Sequence, residues 1–191
     1  MKDLLFIIPM KDPTVAKSRL SEVLPDAVRA RLALALFRRT LSFLAKAQPD
    51  VDVLVVSESK AIEVEATGLF LQQIGQGLNA AVSEGAAWAT EQGYEAICVL
   101  PADLADPSED DLARLLALGR GICIAPAHDG GTNALLVSPP DAIAFHFGGG
   151  SCLAHQRASA GKPCTIIPLE SFRYDIDTSA DLVRVKGVEW A

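Results

Sequence analysis

No apolar run in this chain of 191 residues approaches the roughly 20 consecutive apolar residues that a membrane-spanning helix needs. The first residues enter a strand-like segment directly, without the apolar h-region and small-residue cleavage site of a secretory signal. Cationic charge is scarce as well. Lys and Arg number 17 against 24 Asp and Glu, giving a formal net charge of -7 and a pI near 4.9. That balance argues against generic binding to nucleic acid or to an anionic membrane, both of which call for a basic face. The four cysteines (Cys98, Cys123, Cys152 and Cys164) include no C-x-x-C pair. Cys98, Cys123 and Cys164 lie in or beside apolar strand-like runs, so buried free thiols in a reducing cytoplasm are the expectation. The histidines His128, His146 and His155 lack the spacing of a zinc site.

The common catalytic signatures are missing too. There is no G-x-S-x-G and no Cys–His spacing that suggests a covalent intermediate. There is no G-x-x-x-x-G-K-[ST], and neither "GQGLNA" nor "HFGGGS" is a Rossmann fingerprint. No internal repeat, low-complexity stretch or linker divides the chain, and residues 1–191 are expected to form one domain.

What is present is an alternation of strand and helix patterns. The apolar run 3–8 and the Val-rich run 51–57 read as strands, as do "LFLQQI", "EAICVL", "GICIAP", "NALLVS" and "PCTIIP". Residues 25–47 read as a helix with Pro25 at its first position and Val28, Leu32, Ala35, Leu36 and Phe43 on its apolar face. "ESKAIEVEAT" reads as a short helix closed by Gly68, and 77–93 as a small-residue helix ended by Gly93. Ser108 and Asp111 fit a capping box at the head of "SEDDLARLLAL". "GGGSCLAHQRASAG" is a glycine loop leading into a helix. The fold class implied is α/β, with a largely parallel sheet.

Against the overall negative charge, Lys11, Lys17 and Arg19 crowd into "PMKDPTVAKSRL" immediately after the first strand. Pro9 and Pro13 make this a loop, at the end of a strand where open α/β sheets gather ligand groups. An exposed basic turn is the alternative. Lys and Arg there can neutralise phosphate oxygens, Arg19 bidentately. Two further loops carry carboxylates. Asp103, with Asp106 close behind, follows the strand in "VLPADLAD", where an Asp can equally form a turn or cap a helix. Asp175 and Asp177 alternate in "YDIDT" and so point to one side of an extended chain. Asp177 or Thr178 can cap the last helix, but that does not account for both carboxylates. Three separated carboxylates opposite a Lys/Arg loop suggest Mg²⁺ with a polyphosphate. A substrate that brings its own nucleophile fits, because a phosphate monoester is mostly ionised at pH 7 with its second pKa near ~6.

The stretches "IPMKDPTVAKSRL", "GLNAAV", "LPADL", "GGTNALL", "FGGGS" and "DIDTSADL", in this order, resemble the small guanylyltransferases of deazaflavin-coenzyme biosynthesis. That family loads GMP from GTP onto 2-phospho-L-lactate, phosphoenolpyruvate or 3-phospho-D-glycerate. The resemblance runs from Leu5 to about Leu182 and implies a Rossmann-like fold of the GT-A type. It implies that Lys11, Lys17, Ser18 and Arg19 hold the triphosphate and that Gly77, Leu78 and Asn79 lie along the nucleoside. It further implies that Asp103, Asp175 and Asp177 bind Mg²⁺. Thr132, Gly148 and Ser151 would receive the acceptor phospho-acid, and a helix N-terminus at Ser151 suits an anion on physical grounds. Catalysis would rest on the three aspartates with Lys17 and Arg19. This chain departs from the family at Ala105 and Ser179, where proline is common, and in the short "PAHD" before "GGTNAL", which leaves the acceptor's identity open. The rivals are a molybdopterin or sugar-phosphate nucleotidyltransferase and a nucleotide-binding regulator without turnover. A homodimer is left open.

Overall fold

A computed structural model describes residues 2–185 and residue 189. Seven strands form one sheet: β1 (Lys2–Pro9), β2 (Asp52–Ser57), β3 (Leu69–Gln72), β4 (Tyr94–Val99), β5 (Ile122–Pro126), β6 (Thr132–Val137) and β7 (Cys164–Ile166). Their order is β3-β2-β1-β4-β6-β5-β7. Neighbours pair in parallel, except that β6 runs antiparallel to both β4 and β5. Helices α1 (Asp26–Ala47), α2 (Lys60–Glu65), α3 (Leu78–Glu91), α4 (Glu109–Leu116) and α5 (Ser151–Ala158) connect and flank the strands. The α/β class and the mostly parallel mixed sheet are as expected.

β1 shows why its sequence is an unbroken apolar run. It is central, so both of its faces are covered, and Leu5, Phe6, Ile7 and Ile8 are all 0% exposed. The period of two divides them. Phe6 and Ile8 join a core with Phe37 and Leu41 of α1 and with Leu112 and Leu115 of α4. Leu5 and Ile7 join the opposite core with Ala81, Val82, Ala86 and Ala89 of α3. The small residues of α3 let it lie close to the sheet. A Cβ at Gly85 would sit 3.1 Å from Ile7 Cδ1 and 3.2 Å from Val56 Cγ2, tighter than ordinary van der Waals contact.

Several local expectations shift. Pro25 is the N-cap of α1 rather than its first residue, with ψ 154° and its carbonyl accepting from Val28 and Arg29. Gly68 does not close α2, which ends at Glu65 with Ala66 as its extended C-cap. Gly68 answers a different constraint, since a Cβ there would come within 2.7 Å of the Val53 carbonyl oxygen. The capping box of α4 is half formed. Ser108 Oγ accepts from Asp111 N at 3.2 Å, but Ser108 N donates to Ser171 Oγ. The Asp111 carboxylate is drawn off by Ser171 N and Oγ, both at 2.9 Å. Cys98 and Cys123 are buried, while Cys152 and Cys164, the latter on edge strand β7, are half-buried; all four are free thiols.

The sheet order sets where a ligand can bind. From β1 the chain winds outward through β2 and β3 on one side, while β4 lies on the other side. Loops leaving β1 and β4 therefore diverge at their carboxyl ends and open a crevice, the usual ligand position in open α/β sheets.

Candidate active site

A cavity of about 550 Å³ fills that crevice. The loop after β1, the loop after β4, the head of α3, the start of β6 and the glycine loop before α5 all line it. Two chain segments far apart in sequence meet at its floor through an isolated antiparallel bridge between Leu104 and Asp175. Ala105 N donates to Tyr174 O at 2.8 Å and Ile176 N to Asp103 O at 3.1 Å. Leu104 and Ile176 are both 0% exposed and anchor the bridge in apolar surroundings. Alternation then turns Asp175 and Asp177 away from Ile176 and toward Asp103. One carboxylate oxygen from each of Asp103, Asp175 and Asp177 lies within 4.8 Å of the others. Thr178 serves the final 3-10 turn, its N–H and hydroxyl donating to Asp181 at 2.8 and 2.7 Å. Asp177 is thereby left to the cluster.

Three carboxylates this close repel one another unless a cation sits among them. Burial, and then the charges of Asp103 and Asp177, push Asp175 above the usual carboxylate range. Lys17 supplies positive charge in this structure. Its Nζ donates to Asp103 and, at 3.2 Å, to Asp177. Burial opposes charge on this amine, but the two carboxylates outweigh it and raise its pKa. Hard oxygen donors crowded in this way match what Mg²⁺ takes from a protein, so the donor set fits that ion. Arg19 stands further out, with a 70% exposed side chain and Nη1 3.2 Å from Asp177.

The loop that carries these cations is held from behind. Lys17 has φ 56°, the one left-handed non-glycine residue among those described, a conformation that costs on the order of 1–3 kcal/mol and survives only where its surroundings enforce it. Arg29, buried on α1, reaches the Ala16 and Lys17 carbonyls at 3.5 and 3.4 Å and Asp26 at 2.6 Å. Lys11 and Ser18 line the cavity mouth.

Across the cavity, Gly77 caps α3 with φ 84° and ψ 172°, a region essentially restricted to glycine. Gln73 Nε2 holds this turn through the Gly75 and Gly77 carbonyls at 2.7 and 3.0 Å. Leu78 lines the cavity beside it. Asn79, the second residue of α3, bonds across to the glycine loop. Its amide donates to Phe147 O at 3.0 Å and accepts from Phe147 N at 2.7 Å, clipping the glycine loop to α3. Gly148, with φ 135°, and Ser151, at the head of α5, form the far wall with Thr132 of β6. Ser151 Oγ donates to Thr132 Oγ1 at 3.1 Å.

Four residues that brace this site stand outside the candidate set legible in the sequence: Arg29, Gln73, Asn133 and His155. Asn133, inside the quoted "GGTNALL", donates to Phe172 O at 2.9 Å and to Asp175 at 3.3 Å. Arg29 and Gln73 carried no signal in their neighbourhoods. His155 stands outside the motifs that carry the resemblance and is 0% exposed beside Thr132.

Solved structures share this architecture. A nucleotidyl transferase from Methanothermobacter thermautotroptrophicus matches with a TM-score of 0.70 and 16% identity, over 96% of either chain. A 4-diphosphocytidyl-2C-methyl-D-erythritol synthase matches with a TM-score of 0.61 and 17% identity, over 96% of this chain and 97% of the other. The fold is that of the nucleotidyltransferases. Sequence comparison narrows the class. The family model described as "Guanylyl transferase CofC like" matches residues 4–186. A 3-phospho-D-glycerate guanylyltransferase of Colwellia psychrerythraea is 39% identical over 184 residues, 92% of this chain and 88% of that protein. A phosphoenolpyruvate guanylyltransferase of Rubrobacter xylanophilus is 40% identical over 190 residues, 95% and 92% of the two chains. The chain belongs to this family of guanylyltransferases.

Proposed function

We propose that the protein transfers GMP from GTP to the phosphate of a three-carbon phospho-carboxylic acid, with release of pyrophosphate, as a step in deazaflavin-coenzyme biosynthesis. The observation that carries this reading is a single cavity that joins a carboxylate trio, a Lys/Arg loop and a wall of small hydroxyl and glycine residues. The names of the two relatives favour 3-phospho-D-glycerate or phosphoenolpyruvate as the acceptor, and 2-phospho-L-lactate is the third candidate.

The acceptor phosphate is the nucleophile and needs no protein base at pH 7, where it is largely a dianion. The obstacle is the meeting of two polyanions, and every group on the cavity floor bears on it. Asp103, Asp175 and Asp177 would hold Mg²⁺, which when bound supplies positive charge to the phosphates. Lys17 and Arg19 stabilise the charge that develops on the leaving pyrophosphate, with Lys11 and Ser18 at the triphosphate's outer end. Gly77 and Leu78 give the nucleoside a close, partly apolar surface. Thr132, Gly148 and Ser151 seat the acid so that its phosphate faces the α-phosphorus, which converts a collision of anions into an oriented approach.

A pyrophosphate-release assay with GTP, Mg²⁺ and each of the three acids tests this, with mass analysis of the product and with glucose 1-phosphate and mannose 1-phosphate as controls. GMP–acid is expected with at least one acid and no GDP-sugar with either control. GDP-sugar formation without any GMP–acid product would overturn the assignment in favour of a sugar-nucleotide enzyme. GTP binding with no transfer to any acceptor would favour a regulator.

A further inference from the structure

His155 lies under the far wall of the cavity, on α5, and the proposed reaction assigns it no part. It is 0% exposed and has polar partners on both ring nitrogens. Nε2 is 3.0 Å from the backbone N–H of His146. A backbone N–H can only donate, so Nε2 must be the acceptor and must carry no proton. Nδ1 is 3.1 Å from Thr132 Oγ1. In a neutral ring the single proton is then on Nδ1, and it is donated to Thr132. Phe147 packs edge-on against the ring at 4.7 Å between centroids, and His146 is the other ring nearby, at 6.4 Å.

The consequence follows from counting hydroxyl protons. Thr132 and Ser151 have one each, and their mutual bond consumes one of the two. With Nδ1 as the donor, the second proton is committed to nothing in the protein and is available to the cavity that both residues line. Were Nε2 the protonated nitrogen, Thr132 would have to donate to Nδ1 and Ser151 to Thr132. Both protons would be spent, and the wall would face an anion with lone pairs. We propose that His155 is a positioning residue for the phospho-acid, fixed by the His146 N–H in the tautomer that leaves the Thr132–Ser151 pair one hydroxyl proton to donate to it. This inference rests on the reading of that wall as the acceptor seat. Burial, with the charge of His146 adding to it, pushes His155 down to about 4, in keeping with a neutral ring at pH 7.

Two substitutions place a donor or an acceptor where Nδ1 stands. In His155→Asn the side-chain amide nitrogen replaces the Nδ1 donor. In His155→Asp an ionised carboxylate oxygen stands there and can only accept, so Thr132 donates to it, Ser151 donates to Thr132, and both hydroxyl protons are spent. The KM for the phospho-acid should rise about tenfold in His155→Asp, the worth of one hydrogen bond to an anion. It should stay within about threefold of the parent in His155→Asn, and the KM for GTP should move less than about twofold in either. Equal effects of the two substitutions, an unmoved acceptor KM or a parallel rise in the GTP KM would each overturn the proposal. A measurement on the unaltered protein covers the case in which a variant fails to fold. The ¹⁵N shifts of the imidazoles at pH 7, with His128→Gln and His146→Gln assigning the other two rings, should show His155 protonated on Nδ1 alone. Protonation on Nε2, or on both nitrogens, would overturn it. If the parent makes no GMP–acid with any of the acids, the functional reading falls by itself, and the tautomer still decides the relay.

Discussion

Lys17 concentrates the residue-scale logic of the site. Its ammonium is enclosed, its backbone is left-handed, and two of the three clustered carboxylates are its partners. Replacing one aspartate by asparagine keeps the shape and removes a charge. Asp103→Asn, Asp175→Asn and Asp177→Asn should each cut kcat by about 10²–10³ at saturating Mg²⁺, the range for loss of a catalytic electrostatic group. Near-parental turnover in all three, with unchanged far-ultraviolet circular dichroism, would dissolve the metal assignment. Lys17→Ala removes the counter-charge instead, and without Mg²⁺ it should cost about 1–3 kcal/mol of stability through stranded carboxylates. Mg²⁺ should restore most of that loss. Arg19→Ala, at an exposed ion pair, should stay within about 0.5 kcal/mol. Denaturant titrations with and without Mg²⁺ read both. The aspartates were legible in the sequence because each follows a strand or alternates in an extended stretch. Arg29, Gln73 and His155 were not, because what they do depends on carbonyls and hydroxyls that only the fold brings to them.

At the scale of elements, most strands and helices follow from their apolar periods, since burial on both faces makes β1 a continuous run and small residues let α3 approach the sheet. The direction of β6 does not follow, because an antiparallel strand buried on both faces has the same apolar pattern as a parallel one. Caps are legible only until a tertiary partner intervenes, as at α4. Burial there would raise the Asp111 pKa, but Ser171 through its N–H and hydroxyl, together with Arg114, outweighs burial and holds the carboxyl below the ordinary 3.8. A depressed folded-state pKa contributes stability that is present above the unfolded value and lost as pH falls through the folded one. Asp111→Ala should therefore cost about 1–2 kcal/mol at pH 7, with the difference from the parent shrinking as pH drops below 3.8. Urea midpoints for both proteins between pH 7 and pH 3 check this. A gap that persists undiminished at the acid end would mean that Asp111 acts through packing and not through its charge.

At the scale of the whole molecule, the cavity is where the two halves of the sheet meet. β1 and α3 supply one side, while β4, β6 and the glycine loop before α5 supply the other. No helix among the described residues is long and apolar enough to cross a membrane. A ligand that touches both sides stabilises only the state in which they are assembled. GTP with Mg²⁺ at one hundred times its Kd should add about 2.7 kcal/mol. For a chain of this size that is a rise in Tm of roughly 5–11 °C, at 2–4 °C per kcal/mol. The rise should depend on the metal, because the triphosphate otherwise meets Asp103, Asp175 and Asp177 as like charges. With EDTA the shift from GTP should fall to a small fraction of its value, and in Asp103→Asn the Mg²⁺-dependent part should largely disappear. ATP in place of GTP measures how strictly the surface beside Gly77 and Leu78 selects the base. Scanning calorimetry under these conditions decides the matter: a full GTP shift in EDTA would mean that the triphosphate is held by the Lys/Arg loop alone, with the carboxylate trio taking no part in binding it.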